Sequence, residues 1–176
     1  MKPRLYLMAA ALLLQGCVVA DRLVPPADMR IIPGVPPFQQ QTRNDDCAGV
    51  ALASLLGHAG IAASPADIDA VVYDQRLGGA LLADLENFAA AVGAHPRSGR
   101  GSLSELRRLL DSGAPLLVPI DLGSGLWRRP HYVVLFGRNE DSFLLHLRAN
   151  KTVSMTTEEF ERRWSAMGRL FLYLEQ

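Results

Sequence analysis

Cysteine is scarce in this 176-residue chain: there are two, Cys17 and Cys47, alongside four histidines. Two thiols cannot build the disulfide framework of a small secreted scaffold, and no Cys/His/Asp cluster has zinc-ligand spacing. Neither sign of charge is in excess, since 18 Lys and Arg balance 18 Asp and Glu. That excludes the basic footprint of a nucleic-acid-binding protein. The apolar run Leu5–Leu14 is too short to cross a bilayer as a helix. The glycine-rich stretches GRGS (99–102) and GSG (123–125) lack the Lys-Ser/Thr of a phosphate-binding loop. No internal repeat is visible, and neither a metal nor a cofactor is expected. At 49% hydrophobic residues, the chain can fold a single domain with a sizeable core.

The N-terminus reads MKPRLYLMAAALLLQGC: a basic start at Lys2 and Arg4, the apolar run, then Gln15-Gly16-Cys17. This is the layout of a secretory signal. Its Leu-x-Gly-Cys ending resembles the lipobox of bacterial lipoproteins. The resemblance implies that residues 1–16 are a signal peptide and that Cys17 becomes the acylated first residue. Val18 after it, rather than Asp, implies an anchor in the outer membrane, facing the periplasm. An uncleaved anchor and an ordinary signal peptide are the other readings. If Cys17 carries lipid, Cys47 has no intramolecular thiol partner, and in an oxidising compartment it is either buried or used.

Residues 18–38 hold five of the eleven prolines and read as an extended tether, so residues 17–38 form a lipidated N-terminus and tether, and 39–176 the domain. Apolar residues at helical spacing start at Cys47, with Asp45 or Asp46 as N-cap and Gly60 as stop. Ser64-Pro65-Ala66-Asp67 opens a second helix, 81–92 forms a third and 102–110 a fourth. The period then shortens. PLLVPIDL (115–122), HYVVLFG (131–137) and SFLLHLR (142–148) read as strands, the last two joined by a turn at 139–141. A strand at 151–155, a helix from Thr156 with Phe160 and Trp164 on one face, and a strand at 169–175 complete the chain. Helices first and an antiparallel sheet afterwards make an α+β fold.

A thiol attacks as thiolate, so it gains from a helix N-terminus and an imidazole nearby. Cys47 occupies a helix start. His58 lies at the far end of that helix and His95 in a loop, whereas His131 opens a strand and His146 lies on the next one. With 139–141 as the turn, His131 and His146 are expected roughly across from each other. Cysteine at a helix start in the first lobe and histidine at a strand start in the second is the papain-like arrangement. A small buried core thiol is the competing reading of Cys47. Gln41, on the approach loop, could donate its amide N–H to an oxyanion together with the backbone N–H of Cys47.

Taken together, QTRNDDC (41–47), AGVALASLL after it and HYVVLFG from residue 131 resemble the bacteriocin-processing, double-glycine-leader peptidases. These are papain-like domains known from the N-termini of bacteriocin ABC exporters. The likeness runs from Gln39 to Leu174 and includes TTEEFERRW. It implies an N-terminal helical lobe packed on a C-terminal sheet, with Cys47 as nucleophile, His131 as general base and acid, and Gln41 as oxyanion donor. It also implies a peptide or protein substrate in the cell envelope, cleaved after small Gly-Gly-like residues, and a secretion-system partner. No transporter or ATP-binding motif accompanies the domain, so a freestanding lipoprotein is expected.

Two positions depart from the family pattern. Ala48-Gly49 follows the cysteine where the family has Gly-Pro or Gly-Val. The orienting aspartate, about sixteen residues after the histidine, is replaced by Leu145-His146-Leu147-Arg148. His146 is expected to serve as the acceptor that fixes the His131 tautomer. The two histidines also resemble papain-like cell-wall endopeptidases, which act on peptidoglycan. A non-catalytic peptide-binding module is the remaining class. Arg128-Arg129 before His131 could grip an acidic or C-terminal group, or be a solvated loop.

Overall fold

A computed structural model describes residues 25–39 and 47–175. Gln41, Asp45, Asp46 and Cys17 lie outside these residues. The elements are β1 (Arg30–Ile31), α1 (Cys47–His58), α2 (Pro65–Val72), α3 (Leu82–Ala91), β2 (Pro96–Arg100), α4 (Leu103–Asp111) and β3 (Leu116–Asp121). They continue with β4 (Pro130–Arg138), β5 (Ser142–Arg148), β6 (Lys151–Thr156), α5 (Thr157–Ser165) and β7 (Leu170–Leu174).

The strands form one sheet in the order β2-β7-β3-β4-β5-β6, every pair antiparallel, with β1 pairing the far end of β4. Helices cover both faces, so the fold is α+β with the sheet as its middle layer. On one side α1, α2 and α3 bury Leu52, Leu55, Ile68 and Leu85 against Leu117, Val134 and Leu172. On the other, Leu106, Leu109, Phe160 and Trp164 of α4 and α5 pack on Leu116, Val118, Val133, Leu135 and Leu145. This two-sided cover explains why β3 is apolar without alternation: Leu116 through Ile120 are all buried.

The helix starts follow the sequence signals. Ser64 Oγ accepts from Asp67 N–H (3.1 Å), Ser102 Oγ from Glu105 N–H (3.2 Å) and Thr156 Oγ1 from Glu159 N–H (3.3 Å), caps worth roughly 1 kcal/mol each.

Two features differ from the sequence reading. Residues 29–38, read as tether, lie on the body: Met29, Ile32 and Phe38 are buried, and Arg30 and Ile31 pair with Arg138 and Gly137. The segment turns at Pro33-Gly34, with Gly34 at φ 75°, and its apolar residues have surface to bury. Residues 96–100, read as loop, form edge strand β2 against β7. PRSGR carries no alternation because an edge strand lying mostly in solvent needs none.

Gly49 fixes how α1 crosses α2. A Cβ there would sit 2.5 Å from Asp69 Oδ1 and 2.7 Å from the Pro65 carbonyl. The same closeness lets Gly49 N–H donate to Asp69 Oδ1 (3.1 Å), satisfying one of the open donors of the first turn. Gly49→Ala would gain up to about 1 kcal/mol of helix propensity. It would also force apart two backbones and a carboxylate, a packing cost of about 1–3 kcal/mol. Crowding outweighs the gain in propensity, so the variant should melt at a lower temperature than the wild type in a calorimetric scan. An unchanged or higher melting temperature would show that α2 yields freely.

Candidate active site

Cys47 is the first residue of α1 and is half-buried, unlike the fully covered side chains that follow it. The N-terminal end of the helix dipole favours negative charge at that position. α1 lies across β4, and the two meet near Tyr132. Burial pushes the Tyr132 phenol above its ordinary range, and negative charge on the Cys47 sulfur and on Asp84 pushes it further. Tyr132 Oη donates to the Ala80 carbonyl (3.0 Å), tying the loop before α3 to this end of the strand.

His131 precedes Tyr132 in β4 and is only 7% exposed. By strand alternation Tyr132 and Val134 turn toward α1, while His131 belongs with Val133 to the other side. Its ring goes instead to a backbone atom, with Nε2 2.6 Å from the Leu147 carbonyl oxygen. On this side of the hairpin the last β4–β5 pair is Val134 with His146, and beyond it the ladder ends. The bond ties the His131 ring to the backbone of β5 beyond the last β4–β5 pair.

The acceptor decides the tautomer. A carbonyl oxygen can only accept, so Nε2 carries the proton and Nδ1 keeps the lone pair of a general base. Burial lowers the pKa of His131 below its ordinary value; the Leu147 carbonyl opposes that shift, and Arg148 and Arg129 add to it. At neutral pH the ring is therefore the neutral imidazole.

His146 does not orient His131. The tight turn pairs Arg138 with Phe143, and a bulge between Leu135 and Gly137 shifts the register again, leaving His146 opposite Val134. Three positions from His131 along β4, that site belongs to the opposite face. There His146 Nδ1 lies 2.9 Å from Thr152 Oγ1, and its ring stacks on Phe136 at 4.1 Å and tilts against Phe38 at 5.7 Å. Burial lowers its pKa too, partly offset by the Val35 backbone. It is a core histidine.

Among the described residues, then, Cys47 lies near enough to Tyr132, the neighbour of His131 in β4, to act on its phenol, and His146 bonds elsewhere. Arg128 does not reach toward a substrate group: its Nη1 donates to the Ala166 carbonyl at 2.5 Å. The sequence reading missed Tyr132 and the Leu147 carbonyl. An aromatic beside the histidine was a usable signal for the first; a backbone atom offers none for the second.

A half-buried thiol at a helix start and a buried histidine near the start of a strand, held in one tautomer by a backbone carbonyl, are the two groups of the candidate site. Residues 36–173 match the Peptidase C39 family, and the chain belongs to that family. Among solved structures it is similar to a C39-like peptidase from Bacillus anthracis, at 18% identity and TM-score 0.66 over 83% of this chain and 97% of that one. It is also similar to the peptidase domain of Streptococcus ComA, a bifunctional ABC transporter of a quorum-sensing pathway, at 23% identity and TM-score 0.65, covering 78% and 96%. A third is a double-glycine-motif protease from an AMS/PCAT transporter, in complex with its leader peptide, at 17% identity and TM-score 0.63, covering 80% and 91%. No curated protein matches the chain.

Two buried histidines with depressed pKa values make stability pH-dependent. Between the lowered folded pKa and the unfolded value of about 6.5, the unfolded chain binds more protons than the folded one. Their contribution is fully present above about pH 6.5 and is lost as pH falls through the folded values. Melting temperature should therefore drop on acidification through this window, and less steeply in His146→Phe, which keeps the ring stack without the titratable nitrogens. Parallel curves for the two proteins would remove His146 as a cause.

Proposed function

We propose that this protein is a cysteine peptidase of the bacterial cell envelope, tethered through lipid on Cys17, that cleaves an exported peptide after small, Gly-Gly-like residues. The observation carrying this reading is the 2.6 Å contact of His131 Nε2 with the Leu147 carbonyl, which leaves Nδ1 free to act as base beside Tyr132, the residue whose phenol Cys47 affects. Membership of the C39 family and the leader-bound relative support the substrate class.

In the proposed reaction Nδ1 of His131 takes the Cys47 proton as sulfur attacks the scissile carbonyl. The backbone N–H of Cys47 and the amide of Gln41 hold the oxyanion. The imidazolium returns the proton to the leaving amine, leaving a thioester. Water, deprotonated by the same Nδ1, then releases the acid and restores the thiol.

While the imidazolium exists, the Leu147 carbonyl still accepts its Nε2 proton, in a charge-assisted bond worth about 1.5–3 kcal/mol. It carries no full negative charge, and Arg129 and Arg148 disfavour the cation. Each 1.36 kcal/mol lost from transition-state stabilisation is about tenfold in rate, so turnover below that of a carboxylate-backed site is expected.

The same deficit favours a second reading, a module that binds peptide without cutting it. The cell-wall endopeptidase reading loses its particular support, because His146 is not at the site.

Incubation with a leader peptide ending in Gly-Gly separates these. Cleavage should occur in wild type, vanish in Cys47→Ala and persist in His146→Phe. Gln41→Ala should lower kcat by about 10²–10³ with little change in KM. Peptide bound by wild type and recovered intact would establish the binding module.

A further inference from the structure

The loop from β3 to β4 ends in two very exposed apolar side chains, Leu126 at 99% and Trp127 at 84%. The loop is not slack. Leu122 N–H donates to the Arg129 carbonyl (2.9 Å), and Asp121 Oδ1 accepts from both Gly123 N–H and Arg129 N–H at 2.8 Å. Ser124 and Trp127 form a bridge across the turn, and a Cβ on Gly123 would run into the Trp127 carbonyl. From α5, Arg163 Nη1 donates to the Asp121 carbonyl (2.8 Å), and Arg128 is tied to Ala166 as described above.

This is a stiff hairpin that holds apolar groups in water. A side chain 99% exposed touches almost nothing, so Leu126 is a crest and not the wall of a groove. Behind the crest stand Arg128 and Arg129, both exposed, and Arg148, which with Arg129 bears on His131. Asp121, held ionised by backbone N–H groups, and Glu159, paired with Arg163, are the opposing carboxylates; against Arg128, Arg129, Arg148 and Arg163 they leave the neighbourhood positive.

We propose that this hairpin tip inserts into an anionic lipid surface, with Leu126 among the acyl chains, Trp127 at headgroup depth and Arg129 and Arg148 against lipid phosphates. Amphipathic Trp and neighbouring Arg suit that boundary, and a tip already rigid loses little freedom on entering it. Two side chains are too few to anchor a protein by themselves. Their effect is orientation: they would bring the Cys47–His131 end of β4 against the membrane. The inference depends neither on the peptidase reading nor on lipid at Cys17.

The chain supplies its own probe. It has two tryptophans, and Trp164 is fully buried with its indole N–H bonded to the Leu170 carbonyl, so lipid-dependent emission changes report on Trp127. The full chain is mixed with phosphatidylethanolamine/phosphatidylglycerol vesicles with or without brominated acyl chains, and with phosphatidylcholine vesicles. Depth of Trp127, and not co-sedimentation, is the readout, because the apolar N-terminal residues could carry the chain to vesicles unaided. Expected are a blue shift and bromine quenching on the anionic vesicles, severalfold weaker in the double variant Arg129→Gln/Arg148→Gln and absent in Trp127→Phe. Vesicle-bound protein whose emission is unshifted and still quenched by aqueous acrylamide overturns the proposal. A shift produced by a Gly-Gly leader peptide and not by lipid also overturns it, and would make the crest a peptide-docking element.

Discussion

The Leu147 carbonyl oxygen, 2.6 Å from His131 Nε2, is the acceptor on which the rest of the site depends. It assigns the Nε2 proton, leaves Nδ1 as the basic atom and ties the ring to the β5 backbone. A side-chain carboxylate would do these things and also neutralise the imidazolium. The backbone does only the geometric part. Orientation and charge compensation, usually supplied by one residue, are here separated, and the second is weak.

The surrounding electrostatics act in the same direction. His131 is buried and flanked by Arg129 and Arg148, all of which favour the neutral ring. The Asp69 carboxylate occupies the Gly49 N–H in the first turn of α1. In the proposed reaction the imidazole is therefore neutral at rest and takes up the proton as attack occurs. Tyr132 connects the parts: its phenol responds to charge on Cys47, it is anchored to the loop before α3, and it adjoins His131.

Much of this was legible in the sequence because local chemistry wrote it there. Ser64-Pro65-Ala66-Asp67, Ser102 with Glu105 and Thr156 with Glu159 mark helix starts, and HYVVLFG marks the strand carrying His131. What was not legible depends on register and backbone. A bulge at Leu135/Gly137 moves every later β5 residue relative to β4, and no composition signal announces one. The bulge does not explain His146, however: counting back from a turn at 139–141 pairs residue 138 with 142 and so Val134 with His146, three positions short of His131, and the acceptor that His131 meets is a backbone carbonyl, which sequence does not mark. Edge strand β2 and the packed segment 29–38 were similarly hidden, because strands that add at an edge need little alternation to form. Gln41 lies outside the described residues, and its role stands on resemblance alone.

The central claim is that Cys47 is a reactive thiol served by His131 and not a core cysteine. It is tested most directly by the pH dependence of Cys47 alkylation in the native protein, followed by peptide mapping so that Cys17 is counted separately. The account predicts that Cys47 reacts without unfolding, with an apparent pKa below the ~8.5 of a free cysteine, and that His131→Ala slows the reaction near neutral pH. A Cys47 inert until denaturant is added, or one indifferent to the loss of His131, would contradict it.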